Sequence, residues 1–347
     1  MKAVAAVGGG RIEVVELPLP KLEPYEALVR VTACGFCATD VKIIDNGIGN
    51  LAVNYPVILG HEGVGEVVEV GPQARNLRVG DVFMNPHGRV PPATGYGKMW
   101  ANMIEYAVVQ DHAAMEALGV PRSARVGSGR KLPPDLAPAD GACVLALTEA
   151  LSGVRNFRVA PGQDVLVFGD GPIALALIHF ARLAGARWIA CVGHHDDRLA
   201  RLGRLAKVDA AVNARTADAK AALGGRRFDL AIDAVGSVEV IRLASSLLKP
   251  GGTVGVYGVL KAKASTLSLI DLQNHTSLHM LNWPHGADGV HDELIEMFRD
   301  GRIRPSDYYS HLVPLAEAPR ALELVRSREA FRVVLTMGGT PAAGTAA

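Results

Sequence analysis

The sequence predicts an α/β protein of two domains, one rich in β-strands and one built on a doubly wound parallel sheet. The chain has 347 residues, 49% of them hydrophobic, which is more than one compact core comfortably holds. Up to about residue 139, short β-like runs are broken by Gly, Pro and Asp, with no sustained helical period. Beyond that point strand-like runs alternate with Ala- and Leu-rich helical runs, a pattern typical of a parallel sheet.

The individual elements follow from these periods. In the first part, strands are predicted at ALVRVTAC, VGEVVEV and IEYAVV. In the second part, six strands are predicted, at DVLVFG, WIACVG, AAVN, DLAIDAVG, GTVGVYG and TSLHMLNW. Helices are predicted between them at PIALALIHFARLAG, DDRLARLGRLA and VEVIRLASSLLKP, each ending near Gly or Pro. The last part of the chain is expected to return to the first domain, so the predicted domains are residues 1–145 with 286–347, and residues 146–285.

Composition and charge exclude several classes of function. The formal net charge is +1 with both signs interspersed, which argues against nucleic acid or an anionic membrane as partner. The start MKAVAAVGGGR has no apolar run of signal-peptide length, and no run reaches the roughly 18 apolar residues of a membrane span. The four cysteines, Cys34, Cys37, Cys143 and Cys191, are too few for a disulfide framework in so long a chain. We therefore expect a cytoplasmic protein that acts on a small molecule.

A glycine motif follows the first predicted strand of the second domain. The run Gly169-Asp170-Gly171-Pro172-Ile173-Ala174 matches G-x-G-x-x-G/A at a strand-to-helix junction. Its first glycine permits a tight turn, its second lets the backbone approach a pyrophosphate, and its alanine allows close helix–strand packing. The helix N-terminus then faces the phosphates. This predicts a dinucleotide site at Gly169, Gly171, Pro172 and Ile173.

The end of the next strand bears on the choice of cofactor. An NAD site normally carries an Asp or Glu there, about 20 residues after the glycines, to bind the ribose hydroxyls. In this chain that position is Gly193. With no carboxylate expected to repel a 2′-phosphate, and with His194, His195 and Arg198 available to contact it, the sequence favours NADP(H) over NAD(H). The alternative is that Arg198 packs against adenine and the histidines are solvated.

Two short motifs in the first part point to a metal site. Cys37-Ala38-Thr39-Asp40 follows a strand, and Gly60-His61-Glu62-Gly63-Val64-Gly65 comes later. Cys thiolate and His imidazole are preferred zinc ligands, and a catalytic zinc site uses three protein ligands with one position open. The alternative for Cys37 and His61 is a buried thiol and a core histidine.

Together, ahead of a nucleotide-binding domain, these motifs resemble the zinc-containing medium-chain dehydrogenase/reductase superfamily. Gly80-Asp81-Val82, Leu248-Lys249-Pro250-Gly251-Gly252 and VPLAEAPRALELV extend the resemblance over the chain, except for a loop at residues 111–130 and the tail. It implies a GroES-like catalytic domain, a Rossmann domain, and a homodimer or homotetramer. It also implies an NAD(P)-dependent alcohol dehydrogenase or ketone reductase acting on a secondary alcohol or its carbonyl.

The resemblance assigns roles to five residues. Cys37 and His61 would be zinc ligands, and Glu62 an exchangeable ligand or a carboxylate behind the ligands. Asp40 would orient His61 by hydrogen bonding, and Thr39 would hydrogen-bond the substrate oxygen. Met84 and Trp100 are candidates for an apolar pocket or for the core.

The sequence departs from the family pattern in three places. Aligning Thr148 with its family counterpart puts Val144 at the third ligand position, and a local gap restores Cys143, which we predict as the third zinc ligand. Lys42 stands where many relatives carry a proton-relay histidine; a solvated lysine is the alternative. The stretch 85–97 lacks the cysteines of the family's structural zinc site, so one catalytic zinc per chain is expected. Cys34 forms a CxxC with Cys37 but lacks a second pair, and is expected to be core.

Two competing functions remain open. A zinc-free quinone or enone reductase of the same fold needs no third ligand, but it also has no need of the paired Cys37 and His61 motifs. A nucleotide-binding subunit without turnover is an alternative of another class, and a substrate panel separates it from an enzyme.

Overall fold

The computed structural model describes residues 1–45, 53–121, 129–260, 266–281 and 286–338. The chain divides into two compact units, residues 1–145 with 309–347 and residues 146–308. The first unit's opening segment ends at residue 145, and residues 286–308, which the sequence assigned to the first domain, belong to the second unit. An ion pair joins Glu293 of that segment to Arg155 of the same unit.

The elements of the first unit up to the boundary are short. Its strands are β1 (Lys2–Gly8), β2 (Arg11–Glu16), β3 (Glu26–Phe36), β4 (Val57–Ile58), β5 (Gly63–Val70), β6 (Val82–Met84), β7 (Gly97–Lys98), β8 (Tyr106–Gln110) and β9 (Arg130–Leu132). Its helices are α1 (Ala38–Asp45), α2 (His112–Ala117) and α3 (Pro138–Gly141).

Helix α4 (Val144–Asn156) leads into the second unit. The strands that follow are β10 (Asp164–Phe168), β11 (Trp188–Gly193), β12 (Ala210–Asn213), β13 (Phe228–Asp233), β14 (Leu248–Val256) and β15 (Ser277–Met280). The helices are α5 (Pro172–Leu183), α6 (Asp196–Ala206), α7 (Ala219–Ala222), α8 (Val238–Ser246) and α9 (His291–Arg299). The return to the first unit adds β16 (His311–Pro314), β17 (Val333–Thr336) and α10 (Ala318–Arg326).

Two sheets build the first unit within the described residues. One has the order β16-β17-β3-β5-β6-β9, with β8 also paired to β3, and the other has the order β2-β1-β4-β7. Strand β3 is central to the first sheet, and alternate residues such as Ala27 and Val29 pack with Val67, Phe83 and Val109 in its core. The predicted β-rich domain is therefore confirmed, and its last strand comes from the end of the chain.

The second unit contains a six-stranded parallel sheet of order β12-β11-β10-β13-β14-β15. The order reverses between β10 and β13, which is the doubly wound Rossmann arrangement that the sequence predicted. Every residue of β10 is buried, because helices cover both faces of such a sheet. One predicted helix is too long, since α8 ends at Ser246 and the chain enters β14 at Leu248. The end of the last predicted strand, residues 282–283, lies outside the described residues.

Among the described residues, no helix is long and apolar enough to cross a membrane.

Candidate metal and cofactor sites

One cluster in the described part of the chain has the side chains to hold a metal ion. Its members are Cys37, His61 and Glu62, whose ligand atoms lie within 4.8 Å of one another. Cys37 follows β3, and the other two precede β5. The antiparallel register pairs Cys34 with Gly63. The pairing of two strands therefore brings the two sequence motifs together.

Asp40 stands directly behind the cluster. It lies in the first turn of α1, is fully buried, and accepts a hydrogen bond from the Cys37 amide at 2.9 Å. Its other oxygen lies 3.5 Å from Nδ1 of His61. Burial lowers the pKa of His61, but the charge of Asp40 and the neighbouring Cys37 raise it well above its ordinary value. Asp40, the residue predicted to orient His61, thus lies next to the His61 ring and bonds the Cys37 backbone.

The backbone of Gly60-His61-Glu62, called the GHE motif below, is held by contacts that the sequence did not reveal. Gly60 has φ +97°, and a Cβ there would lie 2.4 Å from the Met103 nitrogen. Buried Asn102 accepts a hydrogen bond from the Gly63 amide at 3.0 Å and donates one to the Pro86 carbonyl at 2.5 Å. Asn102 therefore fixes the segment that carries His61.

Sequence reasoning also missed Arg332. This residue immediately precedes β17, is 7% exposed, and forms a buried ion pair with Glu62, which is 3% exposed. Burial lowers the pKa of Arg332, but the charges of Glu62, Cys143 and Cys37 raise it above its ordinary value. A Cβ at Gly35 would lie 2.1 Å from Glu62 Oε2, so the strand leaves room for this pair. An arginine inside the apolar run FRVVLTM was the available signal.

The structure does not bring Cys143 into the cluster of three. Its thiol is fully buried and lies 3.6 Å from the Ala139 carbonyl, to which it donates. Burial raises the pKa of Cys143 to about 12, because a thiolate there would lose its hydration. Three of the four predicted ligands are therefore grouped, and the fourth lies in a short turn before α4. Cys34 is also fully buried, as expected of a core residue.

Aromatic and polar side chains accompany the cluster. The ring of Trp100 is tilted against that of His61, with centroids 5.2 Å apart, and Trp100 is 37% exposed. Thr39 and Lys42 lie on α1 and are half-buried. Met84 is buried in β6. Of the two predicted pocket residues, Trp100 adjoins the cluster and Met84 belongs to the core.

The glycine motif forms the turn between β10 and α5. Gly169 has φ +127°, a conformation that favours glycine. Gly171 caps α5, and a Cβ there would meet no heavy atom within 4 Å. Pro172 occupies the first turn of the helix, where its missing N–H costs nothing. Ile173 is half-buried in that turn. The turn leaves its backbone open to a pyrophosphate at the helix N-terminus.

One premise of the predicted NADP(H) preference is wrong: a carboxylate does lie at the end of β11. It belongs to Asp170, which accepts hydrogen bonds from the amides of His194 and His195 and from the ring of His195. Arg198 Nη1 is 4.0 Å from the same carboxylate. The sequence rule looks for an acid at the end of β11 itself, so it misses Asp170, which lies in the glycine turn after β10.

Comparison with known proteins agrees with these two units. Residues 23–119 match the alcohol dehydrogenase GroES-like domain, and residues 172–294 match the zinc-binding dehydrogenase family. A probable zinc-binding alcohol dehydrogenase of Mycobacterium tuberculosis is 30% identical over 94% of this chain and 86% of the relative. A probable D-xylulose reductase A of Emericella nidulans is 27% identical over 95% of this chain and 94% of the relative. The alcohol dehydrogenase from Thermus sp. ATN1 aligns with TM-score 0.77 at 28% identity, covering 97% of this chain and 100% of that one.

A GroES-like unit with a cluster that could hold a metal ion and a Rossmann unit with a glycine turn define a class of oxidoreductases. The chain belongs to the zinc-dependent medium-chain dehydrogenase/reductase superfamily, as its sequence motifs predicted.

Proposed function

We propose that this protein is a zinc-dependent alcohol dehydrogenase that acts on a secondary alcohol or the corresponding ketone. The observation that carries the proposal is the cluster of Cys37, His61 and Glu62 with Asp40 behind it. The names of the relatives, which include alcohol dehydrogenases and D-xylulose reductases, support the same reaction class. We further propose one zinc per chain, a cytoplasmic location, and a homodimer or homotetramer.

The donor atoms of the cluster fit zinc. Thiolate sulfur, imidazole nitrogen and carboxylate oxygen are the three ligand types that zinc takes in proteins. Nδ1 of His61 faces Asp40, the arrangement that sets the tautomer and ring orientation of a ligating histidine. When bound, zinc supplies Lewis-acid chemistry that lowers the pKa of an alcohol hydroxyl.

The chain's own groups would orient the substrate and the ligands. Asp40 holds the Cys37 amide and faces the His61 ring, so it positions both ligands at once. Arg332 neutralises Glu62 and keeps this carboxylate buried beside Cys37 and His61. The Thr39 hydroxyl would hydrogen-bond the substrate oxygen, and Trp100 would form an apolar wall beside His61. Gly169 and Gly171 would hold a nicotinamide cofactor at the glycine turn, and this cofactor would supply the hydride-transfer chemistry.

The carboxylate of Asp170 bears on the choice between NAD(H) and NADP(H). The sequence-based preference for NADP(H) assumed no carboxylate at the end of β11, so the contacts of Asp170 remove its main support.

Metal analysis of protein purified without added zinc tests the proposal, together with turnover on secondary, polyol and aryl alcohols. We expect about one zinc per chain, and we expect Cys37→Ala to lose both the zinc and at least about 100-fold in turnover. Cys34→Ala is the matched control, because it removes a core thiol three residues away and should retain zinc. Cys143→Ala decides whether that thiol is a ligand: loss of zinc would assign it to the site.

The outcomes separate the competing functions. Zinc and turnover retained in Cys37→Ala would refute the proposed metal site. Absence of zinc in wild type, with cofactor-dependent reduction of enones or quinones, would favour the zinc-free reductase. Cofactor binding without turnover on the whole panel would favour a nucleotide-binding subunit.

A further inference from the structure

The last residue of β11, Gly193, is packed against a carboxylate that its own strand does not supply. A Cβ added at Gly193 would lie 2.7 Å from Cβ and 2.7 Å from Oδ2 of Asp170. These distances are far below van der Waals contact. The side chain of Asp170 therefore fills the space into which a strand-end side chain would project. The glycine at position 193 and the acid at position 170 are complementary.

Asp170 is fixed in this place by a set of donors. Its Oδ2 accepts the His194 amide at 2.6 Å, the His195 amide at 3.0 Å and Nδ1 of His195 at 2.9 Å. The residue is 9% exposed. Burial raises the pKa of Asp170, but the hydrogen bonds from both histidines and the charge of His195 outweigh burial and lower it. A negative charge is thus held at the end of β11.

The position of this charge determines which ligand group it meets. In a doubly wound sheet, the dinucleotide lies across the carboxyl ends of the strands, with the adenosine ribose at the end of the second strand. Here that strand is β11. Asp170 also lies between Gly169 and Gly171, in the turn predicted to bind the pyrophosphate. In a bound dinucleotide, this one residue would border both the pyrophosphate and the ribose 2′ position.

A carboxylate at this position interacts differently with NAD(H) and NADP(H). It accepts a hydrogen bond from a 2′-hydroxyl, whereas it repels a 2′-phosphate. The amides and the imidazole that would otherwise bind such a phosphate already donate to Asp170. Arg198, at 4.0 Å, is also drawn toward the carboxylate. From this geometry we infer that Asp170 is the specificity-determining residue for the cofactor and selects NAD(H) over NADP(H).

This inference rests on the proposed dinucleotide binding, and equilibrium binding tests it without metal or substrate. Dissociation constants for NADH and NADPH are measured by fluorescence titration of the wild-type protein and of Asp170→Asn. We expect the wild type to bind NADH at least about tenfold more tightly, and Asp170→Asn to shift the ratio of the two constants about tenfold or more toward NADPH. A general loss of structure weakens the binding of both cofactors equally, so the ratio of the two dissociation constants reports the role of the charge.

Two further variants make the test specific. Asp197→Asn removes the same charge from an exposed residue in the first turn of α6, and it should change the ratio by less than about twofold. Asp170→Gly combined with Gly193→Asp removes the Cβ at position 170 that a side chain at position 193 would meet, and returns a carboxylate to the end of β11 from the strand itself. This double variant should restore the preference for NADH.

The inference is overturned if the wild type prefers NADPH, or if Asp170→Asn leaves the ratio unchanged while both cofactors still bind. Failure of the folded wild type to bind either cofactor would instead refute the proposed function, and the inference with it.

Discussion

Two buried acids, one in each unit, illustrate two ways of keeping a carboxylate inside a protein. Glu62 in the first unit is paired with a single guanidinium that comes from 270 residues further along the chain. Asp170 in the second unit is held by amides and an imidazole 24 and 25 residues away, and its nearest guanidinium in the described residues, that of Arg198, is 4.0 Å distant. A guanidinium in direct contact cancels the charge of Glu62, whereas the amides stabilise the carboxylate of Asp170 and leave it negative. Glu62, whose charge is cancelled, is therefore suited to a position beside the candidate metal site. Asp170, which stays negative, is suited to recognition of a ligand.

The largest effect should come from breaking the charged pair. Arg332→Met leaves Glu62 buried without a counter-charge, which should lower the free energy of unfolding by about 3–5 kcal/mol. Urea unfolding in the presence of a chelator measures this without a contribution from bound metal. The control is the double variant Glu62→Gln/Arg332→Met, which removes both charges of the pair and should recover most of the loss. A single variant as stable as the wild type would mean that water, and not the arginine, compensates Glu62.

A smaller effect should come from crowding the same pair without changing its charges. Gly35→Ala places a Cβ 2.1 Å from Glu62 Oε2 and 2.8 Å from Arg332 Nη2, and should cost about 1–3 kcal/mol. The matched change Gly203→Ala, inside α6 with no heavy atom within 4 Å, should instead stabilise by about 0.5–1 kcal/mol. Thermal unfolding of both variants compares the two sites. Equal shifts of the unfolding temperature in the same direction would show that Glu62 and Arg332 can move away from the added methyl group.

The smallest effect concerns pH and the amide-held acid. Because the pKa of Asp170 is lower in the folded chain than its ordinary 3.8, its stabilisation is present above that pH and is lost as the pH falls through the folded value. After allowance for partial exposure, Asp170→Asn should be about 1 kcal/mol less stable than wild type at pH 7. Urea unfolding should show this difference at pH 7 and 5 and a smaller one at pH 3. A difference that stays constant down to pH 3 would contradict a stabilising negative charge on Asp170.

Much of the fold could be predicted from the local hydrophobic pattern of the sequence. The strands β10, β11 and β12 lie where the apolar runs predicted them, and α6 has the predicted bounds, because strand and helix periods are set by residues close in sequence. The end of α8 was predicted too late. Leu248 and Pro250 read as a helix end, but Leu248 pairs with Phe228 in the sheet, and that pairing is a tertiary contact.

The candidate metal cluster was predictable for the same local reason, since each motif carries its ligand on a short segment. The residues that position the cluster were not predictable. Asn102 and Arg332 reach the GHE segment from 39 and 270 residues away, and no spacing rule links such distant positions. The grouping of Cys143 with the other predicted ligands likewise depended on an alignment gap, and the structure leaves this thiol in its own turn.

The sequence by itself determined the two-unit architecture, the glycine turn and the identity of the residues at the candidate metal cluster, because hydrophobic period and short motifs act over a few residues. Only the tertiary structure decided which charges lie together. Glu62 meets Arg332 because the last strand, β17, pairs with β3. Asp170 reaches the end of β11 because parallel strands β10 and β11 end side by side and Gly193 leaves the space open. Electrostatic partners are set by distance in space, and the chain brings these together only on folding.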